Sequence, residues 1–311
     1  MKDISIVVPS YNEAESLPHL AEWIDRVMRE QGYDYEVIVV DDGSSDGTWQ
    51  VVEQLHQANA AYRGIKFRRN YGKSAALNTG FAAAEGEVVI TMDADLQDSP
   101  DEVPELRRMI KEEGYDLVSG WKKKRYDSKL AKNIPSKFFN WTTRKLSGIR
   151  LHDFNCGLKA YRHEVVKSIE VYGEMHRYIP VIAKWAGFGR IGEKVVQHRK
   201  REYGVTKFGM NRFINGYLDL MSIMFISKFG KQPMHFFGAV GSLALVLGMV
   251  ALVVVLILRM IGRIALTNSV WFYLSMFFIL SGLMLFLAGF IGELVCRNST
   301  TRNQYLIAQE L

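Results

Sequence analysis

Short runs of branched apolar residues alternate along the first part of the chain with segments whose apolar positions recur every three or four residues. Ile4-Ser5-Ile6-Val7-Val8, Glu36-Val37-Ile38-Val39-Val40, Ile65-Lys66-Phe67 and Asp116-Leu117-Val118-Ser119-Gly120 read as strands, and Val88-Val89-Ile90-Thr91-Met92-Asp93-Ala94-Asp95-Leu96-Gln97-Asp98 begins as an apolar run, reads as a buried strand and ends in acids. Between the first two, Leu17, Leu20, Ile24 and Val27 or Met28 keep helical spacing. Further helices are expected over residues 48–57, 75–84 and 100–113. Strands alternating with helices at this interval predict an open α/β fold built on a parallel sheet. In such sheets ligands bind beyond the carboxyl ends of the strands.

The pattern changes near residue 230. Residues 236–258 and 264–292 carry no charged side chain. Each exceeds the roughly 20 residues that span a bilayer, so transmembrane helices are expected over 236–258 and 270–292. Gly238, Gly241, Gly248, Gly282 and Gly289 offer small faces for helix packing. Residues 134–146 and 208–229 mix aromatic and apolar side chains with Lys and Arg, as helices lying on a membrane surface do. The expected layout is a catalytic domain over 1–207, an interface helix and linker over 208–233, two spans within 234–296 and a tail over 297–311.

Composition narrows the partners. The 311 residues carry a net charge of +6. With two spans attached, that surplus points to anionic lipid and phosphate-bearing substrates, not nucleic acid. Cys156 and Cys296 support neither a disulfide framework nor a zinc pattern. The start, Met1-Lys2-Asp3-Ile4-Ser5, runs directly into a strand. A large N-terminal domain ahead of two spans then predicts that both termini are cytoplasmic.

The candidate chemistry sits at the strand ends: Tyr11-Asn12-Glu13, Asp41-Asp42-Gly43, Asn70-Tyr71-Gly72-Lys73 and Asp93-Ala94-Asp95. At the end of this extended strand, alternation puts Asp93 and Asp95 on one side. Paired hard carboxylates suit Mg²⁺ or Mn²⁺. Taken alone, this Asp-Ala-Asp reads equally well as turn residues. No Gly-x-Gly-x-x-Gly follows the first strand, and Gly72-Lys73-Ser74 lacks the upstream glycine of a phosphate-binding P-loop. Dinucleotide oxidoreductases and P-loop NTPases are therefore disfavoured.

Val8-Pro9-Ser10-Tyr11-Asn12-Glu13, Val40-Asp41-Asp42-Gly43-Ser44, Asn70-x-Gly72-Lys73 and Asp93-Ala94-Asp95-Leu96-Gln97-Asp98 together resemble the GT-A glycosyltransferases of family 2. Within that family the chain is similar, over nearly its whole length, to polyprenyl-phosphate glycosyltransferases such as dolichyl-phosphate mannose synthases. The similarity includes the two C-terminal spans, which resemble those of the bactoprenol glucosyltransferase type. The resemblance implies an inverting transfer of one sugar from a nucleotide-diphosphate sugar to undecaprenyl phosphate. It also implies a homo-oligomer, such as a tetramer, in the inner (cytoplasmic) membrane. UDP-glucose is the expected donor, with UDP-GlcNAc, a modified arabinose and GDP-mannose as alternatives. A processive polysaccharide synthase would show Gln-x-x-Arg-Trp and more spans, and a non-catalytic sensor would show a degraded acidic site; this sequence shows none of these.

Carried over by residue, the resemblance places Pro9, Tyr11, Asn12 and Glu13 at the base and ribose. It gives Asp41 or Asp42 a hydrogen bond from either, sets Lys73 toward the diphosphate, and counts Asp93 and Ala94 among the nucleotide-sugar-binding residues. Asp93, Asp95 and Gln97 would hold the metal. The run Leu151-His152-Asp153-Phe154-Asn155-Cys156-Gly157-Leu158-Lys159-Ala160-Tyr161-Arg162 matches a second family signature, which makes Asp153 catalytic together with Asp95. A phosphate monoester has a second pKa of about 6 and is largely dianionic at neutral pH, so Asp153 would position more than deprotonate. Lys122, Lys132 and Ser136 would meet the acceptor phosphate, with lysines standing where the family has arginines. Arg199, Arg201 and Tyr203 would close over the diphosphate.

Overall fold

The structure, a computed structural model, describes residues 2–123, 140–145, 147–199, 232–263 and 265–297, together with Ser222, Phe225 and Phe229. Lys132, Ser136, Arg201 and Tyr203 lie outside the described residues, as does most of the expected 208–229 helix. Contacts divide the chain into two compact units, Met1–Leu220 and Met221–Leu311.

Among the described residues of the first unit, seven strands form one sheet in the order β3-β2-β1-β4-β6-β5-β7. They are β1 (Ile4–Ser10), β2 (Tyr35–Asp41), β3 (Tyr62–Lys66), β4 (Val88–Thr91), β5 (Leu117–Trp121), β6 (Lys159–Arg162) and β7 (Ile191–Val195). β1 pairs in parallel with β2 and β4, β2 with β3, and β5 with β7. β6 runs antiparallel between β4 and β5, with Lys159 opposite both Thr91 and Ser119. The sheet is thus mostly parallel, with one reversal that the sequence pattern did not announce. β6 and β7 carry no apolar run of their own and take their strand character from buried neighbours.

Helices cover both faces. α1 (Leu17–Gln31) has Pro18 in its first turn and stops where Gly32 turns left-handed at φ 67°. Its stripe of Leu17, Leu20, Ile24, Val27 and Met28 packs with Ile4, Ile6, Val8, Val37 and Val39 in one core. Each such side chain, fully buried, contributes about 1.5–3 kcal/mol, so Leu20→Ala would open a costly cavity. α2 (Thr48–Ala58) follows β2, α3 (Lys73–Ala83) follows β3 and α4 (Val103–Lys111) lies between β4 and β5. α3 approaches β1 closely: a Cβ on Gly80 would lie 2.3 Å from Val7 Cγ1.

β4 stops at Thr91, and Asp93 and Asp95 stand in a turn, not on an extended strand. Leu96 in that turn has φ 59°, a left-handed backbone rare for a branched side chain. Strand alternation therefore does not place the two carboxylates; the turn does.

Among the described residues of the second unit, two helices are long and apolar enough to cross a membrane, Pro233–Met260 and Val270–Arg297. They pack antiparallel through glycines. A Cβ on Gly241 would lie 2.7 Å from the Gly282 carbonyl, and one on Gly248 would lie 2.8 Å from Ile279. The small faces are therefore used within the chain. Most of the outward Leu, Val, Phe and Met side chains are exposed, as on a lipid-facing surface.

Candidate active site

Four loops at the carboxyl ends of the strands build the site, and each is braced by its own polar residues. Asn12, at φ 55°, donates its N–H to Ser44 Oγ at 2.9 Å and accepts the Ser45 N–H at 2.9 Å. The Glu13 N–H donates to Thr48 Oγ1 at 2.9 Å, and its carboxylate accepts the Ser16 hydroxyl at 2.7 Å. Asn12 and Glu13 thus tie the β1 and β2 loops together. Pro9 is the register partner of Val40 near the end of β1, and Tyr11 is exposed beside the loop.

The acidic pair that follows divides its labour. Asp42 accepts the N–H groups of Tyr71 and Gly72 at 2.7 and 2.9 Å, one on each oxygen. Burial pushes its pKa up in spite of those bonds. Asp42 therefore shapes the loop before α3, in which Gly72 adopts φ 95°. Asp41 Oδ1 accepts the Ser44 N–H at 2.9 Å, while Oδ2 is enclosed with no hydrogen-bond partner among the described residues.

Lys73 opens α3 and reaches Asp93, with Nζ 2.5 Å from Oδ1. Burial alone would raise the Asp93 pKa, but Lys73, Lys122 and Lys159 outweigh it and hold the carboxyl at about 2. The carboxylate lies against Gly157, where a Cβ would come within 2.5 Å of Oδ2 and 2.9 Å of Oδ1. Thr91 Oγ1 donates to the Gly157 carbonyl at 2.8 Å, stitching β4 to the loop that precedes β6. Asp95 is buried and accepts the Gln97 N–H at 3.2 Å; Ala94 beside it is also buried.

The loop before β6 carries Asp153, which is almost fully enclosed. Its carboxylate accepts the Asn155 N–H at 3.0 Å, and its carbonyl accepts the Ser119 hydroxyl at 3.3 Å. Asn140, in a helical segment over 140–145, donates to the His152 carbonyl at 3.0 Å and steadies this loop from behind. Lys159 is buried and donates to the Cys156 carbonyl. Burial lowers the Lys159 pKa and pushes the Cys156 thiol up to about 12, so that cysteine is an inert core thiol.

Lys122 does not stand open for an acceptor phosphate. Its ammonium lies 2.7 Å from Asp98 Oδ1, and Asp98 has no exposed surface. Burial disfavours the charged lysine, but Asp98 outweighs burial and the Lys122 pKa is raised. Arg199 donates its N–H to the Gln97 carbonyl at 3.0 Å, and its guanidinium lies 4.1 Å from the Trp23 ring centroid.

Sequence reading missed His176. Its Nδ1 is 3.0 Å from Ser74 Oγ, and its N–H donates to the same oxygen at 3.1 Å. Burial pushes its pKa well below 6.5, and the nearby Lys73 adds to that shift, so the imidazole is neutral. The run Glu174-Met175-His176-Arg177 holds three titratable residues in a 3₁₀ turn and its cap, the one sequence signal that could have flagged it.

Among the described residues, no group of three or more His, Cys, Asp or Glu is arranged to hold a metal. Asp93 and Asp95 still fit a hard divalent cation that takes one or two protein carboxylates and completes its shell with phosphate oxygens. Asp93 is held in its charged form and already receives a cation at Oδ1.

Residues 5–170 match the family described as Glycosyl transferase family 2. A dodecaprenyl-phosphate galacturonate synthase of Rhizobium johnstonii is 35% identical over 95% of this chain and 88% of its own length. An undecaprenyl-phosphate 4-deoxy-4-formamido-L-arabinose transferase of Proteus mirabilis is 34% identical over 94% of this chain and 88% of its own. Among solved structures, mannosyl-3-phosphoglycerate synthase from Rubrobacter xylanophilus superposes with TM-score 0.58 at 17% identity, covering 73% of this chain and 75% of that one. Glucosyl-3-phosphoglycerate synthase from Mycobacterium tuberculosis, in complex with Mn²⁺, UDP-glucose and glycerol 3-phosphate, superposes with TM-score 0.54 at 20% identity, covering 74% and 80%. The fold is GT-A, with two apolar helices after it. The chain belongs to glycosyltransferase family 2, among the relatives of polyprenyl-phosphate glycosyltransferases.

Proposed function

We propose that this glycosyltransferase moves one sugar from a nucleotide-diphosphate donor to the phosphate of a polyprenyl lipid at the cytoplasmic face of the membrane, with inversion. The observation that carries the reading is the length of the likeness. A polyprenyl-phosphate sugar synthase is similar over 95% of the chain, apolar helices included. Donor sugars of the relatives are a galacturonate and a formamido-arabinose, so UDP-glucose stands as one member of a donor panel.

A lipid-phosphate oxygen attacks the anomeric carbon as the bond to the nucleoside diphosphate breaks. The acceptor arrives as a dianion, so no proton has to be removed. Asp153, enclosed and fixed at its backbone by Ser119, orients the acceptor side. Asp41 reads the base N–H with its unspent Oδ2, and Tyr11 and Pro9 flank the nucleoside. Asp42, Asn12 and Glu13 set the loop shapes that admit it. Asp93 and Asp95, with Gln97, would hold Mg²⁺ or Mn²⁺, which would offset negative charge on the departing diphosphate. Lys122 braces the acceptor side through Asp98, while Lys132, Ser136, Arg201 and Tyr203 supply the phosphate contacts together with Arg199. The two long helices anchor the enzyme in a multi-pass arrangement with cytoplasmic termini. Self-association, if it uses them, uses their outer apolar faces, because the glycines are already packed.

Transfer of radiolabelled sugar from a panel of nucleotide donors, into membranes supplied with polyprenyl phosphate and Mn²⁺ or Mg²⁺, tests the reading. The label is expected in the lipid extract. A water-soluble product would overturn the acceptor, and full activity in Asp95→Ala would overturn the metal role.

A further inference from the structure

We propose that Lys73 keeps Asp93 closed to a free metal ion, and that an arriving nucleotide diphosphate takes Lys73 over and opens the carboxylate to metal. The proposal rests on the metal-assisted transfer proposed above and adds an order to it: metal and nucleotide load together.

Three cations bear on Asp93 among the described residues, and their commitments differ. Lys122 is bonded to Asp98, and Lys159 to the Cys156 carbonyl. Lys73 bonds Asp93 itself, at 2.5 Å, and both side chains are about one-third exposed, at 32% and 30%. One flank of the Asp93 carboxylate is closed by Gly157. The Oδ1 position that an incoming cation would use is the one the ammonium holds. A divalent ion arriving alone must expel a like charge from a short hydrogen bond, with few protein oxygens to repay it.

A diphosphate changes both terms. Its oxygens complete the metal shell, and they offer the ammonium a more highly charged partner than one carboxylate. In the exchange Asp93 would give up Lys73 for the metal, and Lys73 would pass to the diphosphate. No covalent bond changes.

The backbone is built for a side-chain swing over a fixed base. The Tyr71 and Gly72 N–H groups are held by Asp42 on one side of Lys73. On the other side, Ser74 is held by His176 through both its ring and its N–H. The helix start stays put while the flexible lysine arm moves.

Calorimetric titration of the detergent-solubilised full chain separates the possibilities. The probes are Mn²⁺ alone, then UDP and GDP with and without Mn²⁺. In the wild type, Mn²⁺ alone should bind at least tenfold more weakly than in the presence of the nucleotide that fits. Lys73→Met should bind Mn²⁺ alone about tenfold more tightly and the Mn²⁺–nucleotide pair about tenfold more weakly. Lys73→Arg should restore the wild-type order, and Lys73→Gln serves as a second neutral variant should the Met form melt early. Unchanged or weaker Mn²⁺ binding in both neutral variants, with wild-type nucleotide binding still metal-dependent, overturns the gate and spares the metal site. Nucleotide binding indifferent to Mn²⁺ in the wild type, and unaltered in Asp95→Ala, overturns the metal reading and the gate with it.

Discussion

Lys122 and Asp98 form an ion pair of 2.7 Å in a place where Asp98 has no solvent exposure at all. Asp98 ends the acidic loop and is bridged to His198, so the pair joins that loop to the residues that follow β5 and β7. Removing one member of a buried pair strands the other, at a cost of about 3–5 kcal/mol. Lys122→Met should therefore lower the unfolding midpoint by several degrees, and Lys122→Met with Asp98→Asn should recover most of it. A thermal melt distinguishes this from a direct phosphate contact, for which Lys122→Met would cost acceptor affinity and leave stability intact.

Gly157→Ala tests the close approach at Asp93. The new Cβ would sit 2.5 Å from Oδ2, closer than real contacts allow, so the carboxylate or the loop must shift. A shift of about 1 Å in a positioning group costs on the order of 10²-fold in rate. Activity should fall by that order while the melting temperature changes little, and raising Mn²⁺ should restore part of it.

Asp41 and Asp42 should separate cleanly. Asp41→Asn can turn the unspent Oδ2 position into a donor facing a donor, and nucleotide affinity should drop roughly 10–100-fold with stability nearly unchanged. Asp42→Ala removes both acceptors from the Tyr71 and Gly72 N–H groups, and should destabilise by about 1–3 kcal/mol as well as weaken nucleotide binding. Titration with UDP and GDP alongside a melt reads both. Equal stability losses in the two variants would contradict the division.

His176 sets a pH expectation. Burial depresses its folded pKa well below 6.5, so between those values the unfolded chain binds a proton that the native state does not. Its contribution is fully present above about 6.5 and is lost as pH falls toward the folded value. The melting temperature should drop between pH 7 and pH 5, and His176→Gln should flatten that part of the profile. An unchanged slope in the variant would assign the drop to other groups.

The strand and helix register of the first 120 residues was legible because branched runs and 3.6-residue stripes coincide with burial there. Val37 to Val40, for instance, are wholly inside. The polar strand ends were legible as a group, and the family resemblance gave the transferase class. What the pattern could not carry was anything fixed by a distant partner. Lys159-Ala160-Tyr161-Arg162 is a strand because β4 and β5 flank it, not because of its composition. Lys122 looks like any loop lysine until Asp98 is brought beside it. Strand periodicity does not pair Asp93 and Asp95, because β4 ends at Thr91 and the turn that holds Leu96 places them. His176 meets Ser74 across 102 positions, a separation no local pattern encodes.

The reversed strand β6 has a consequence for how the molecule comes into being. Residues up to Thr91 can assemble β3-β2-β1-β4 as soon as they are made. β5 has no seat in that sheet until residues 159–162 have been synthesised and inserted beside β4. Until then β4 is an open edge, the kind of surface on which chains pair wrongly. The loops that carry Asp93 and Asp153 therefore meet only in a late, long-range step that closes an edge and brings the candidate site together. A chain interrupted before β6 would keep much of its core and lack the enzyme.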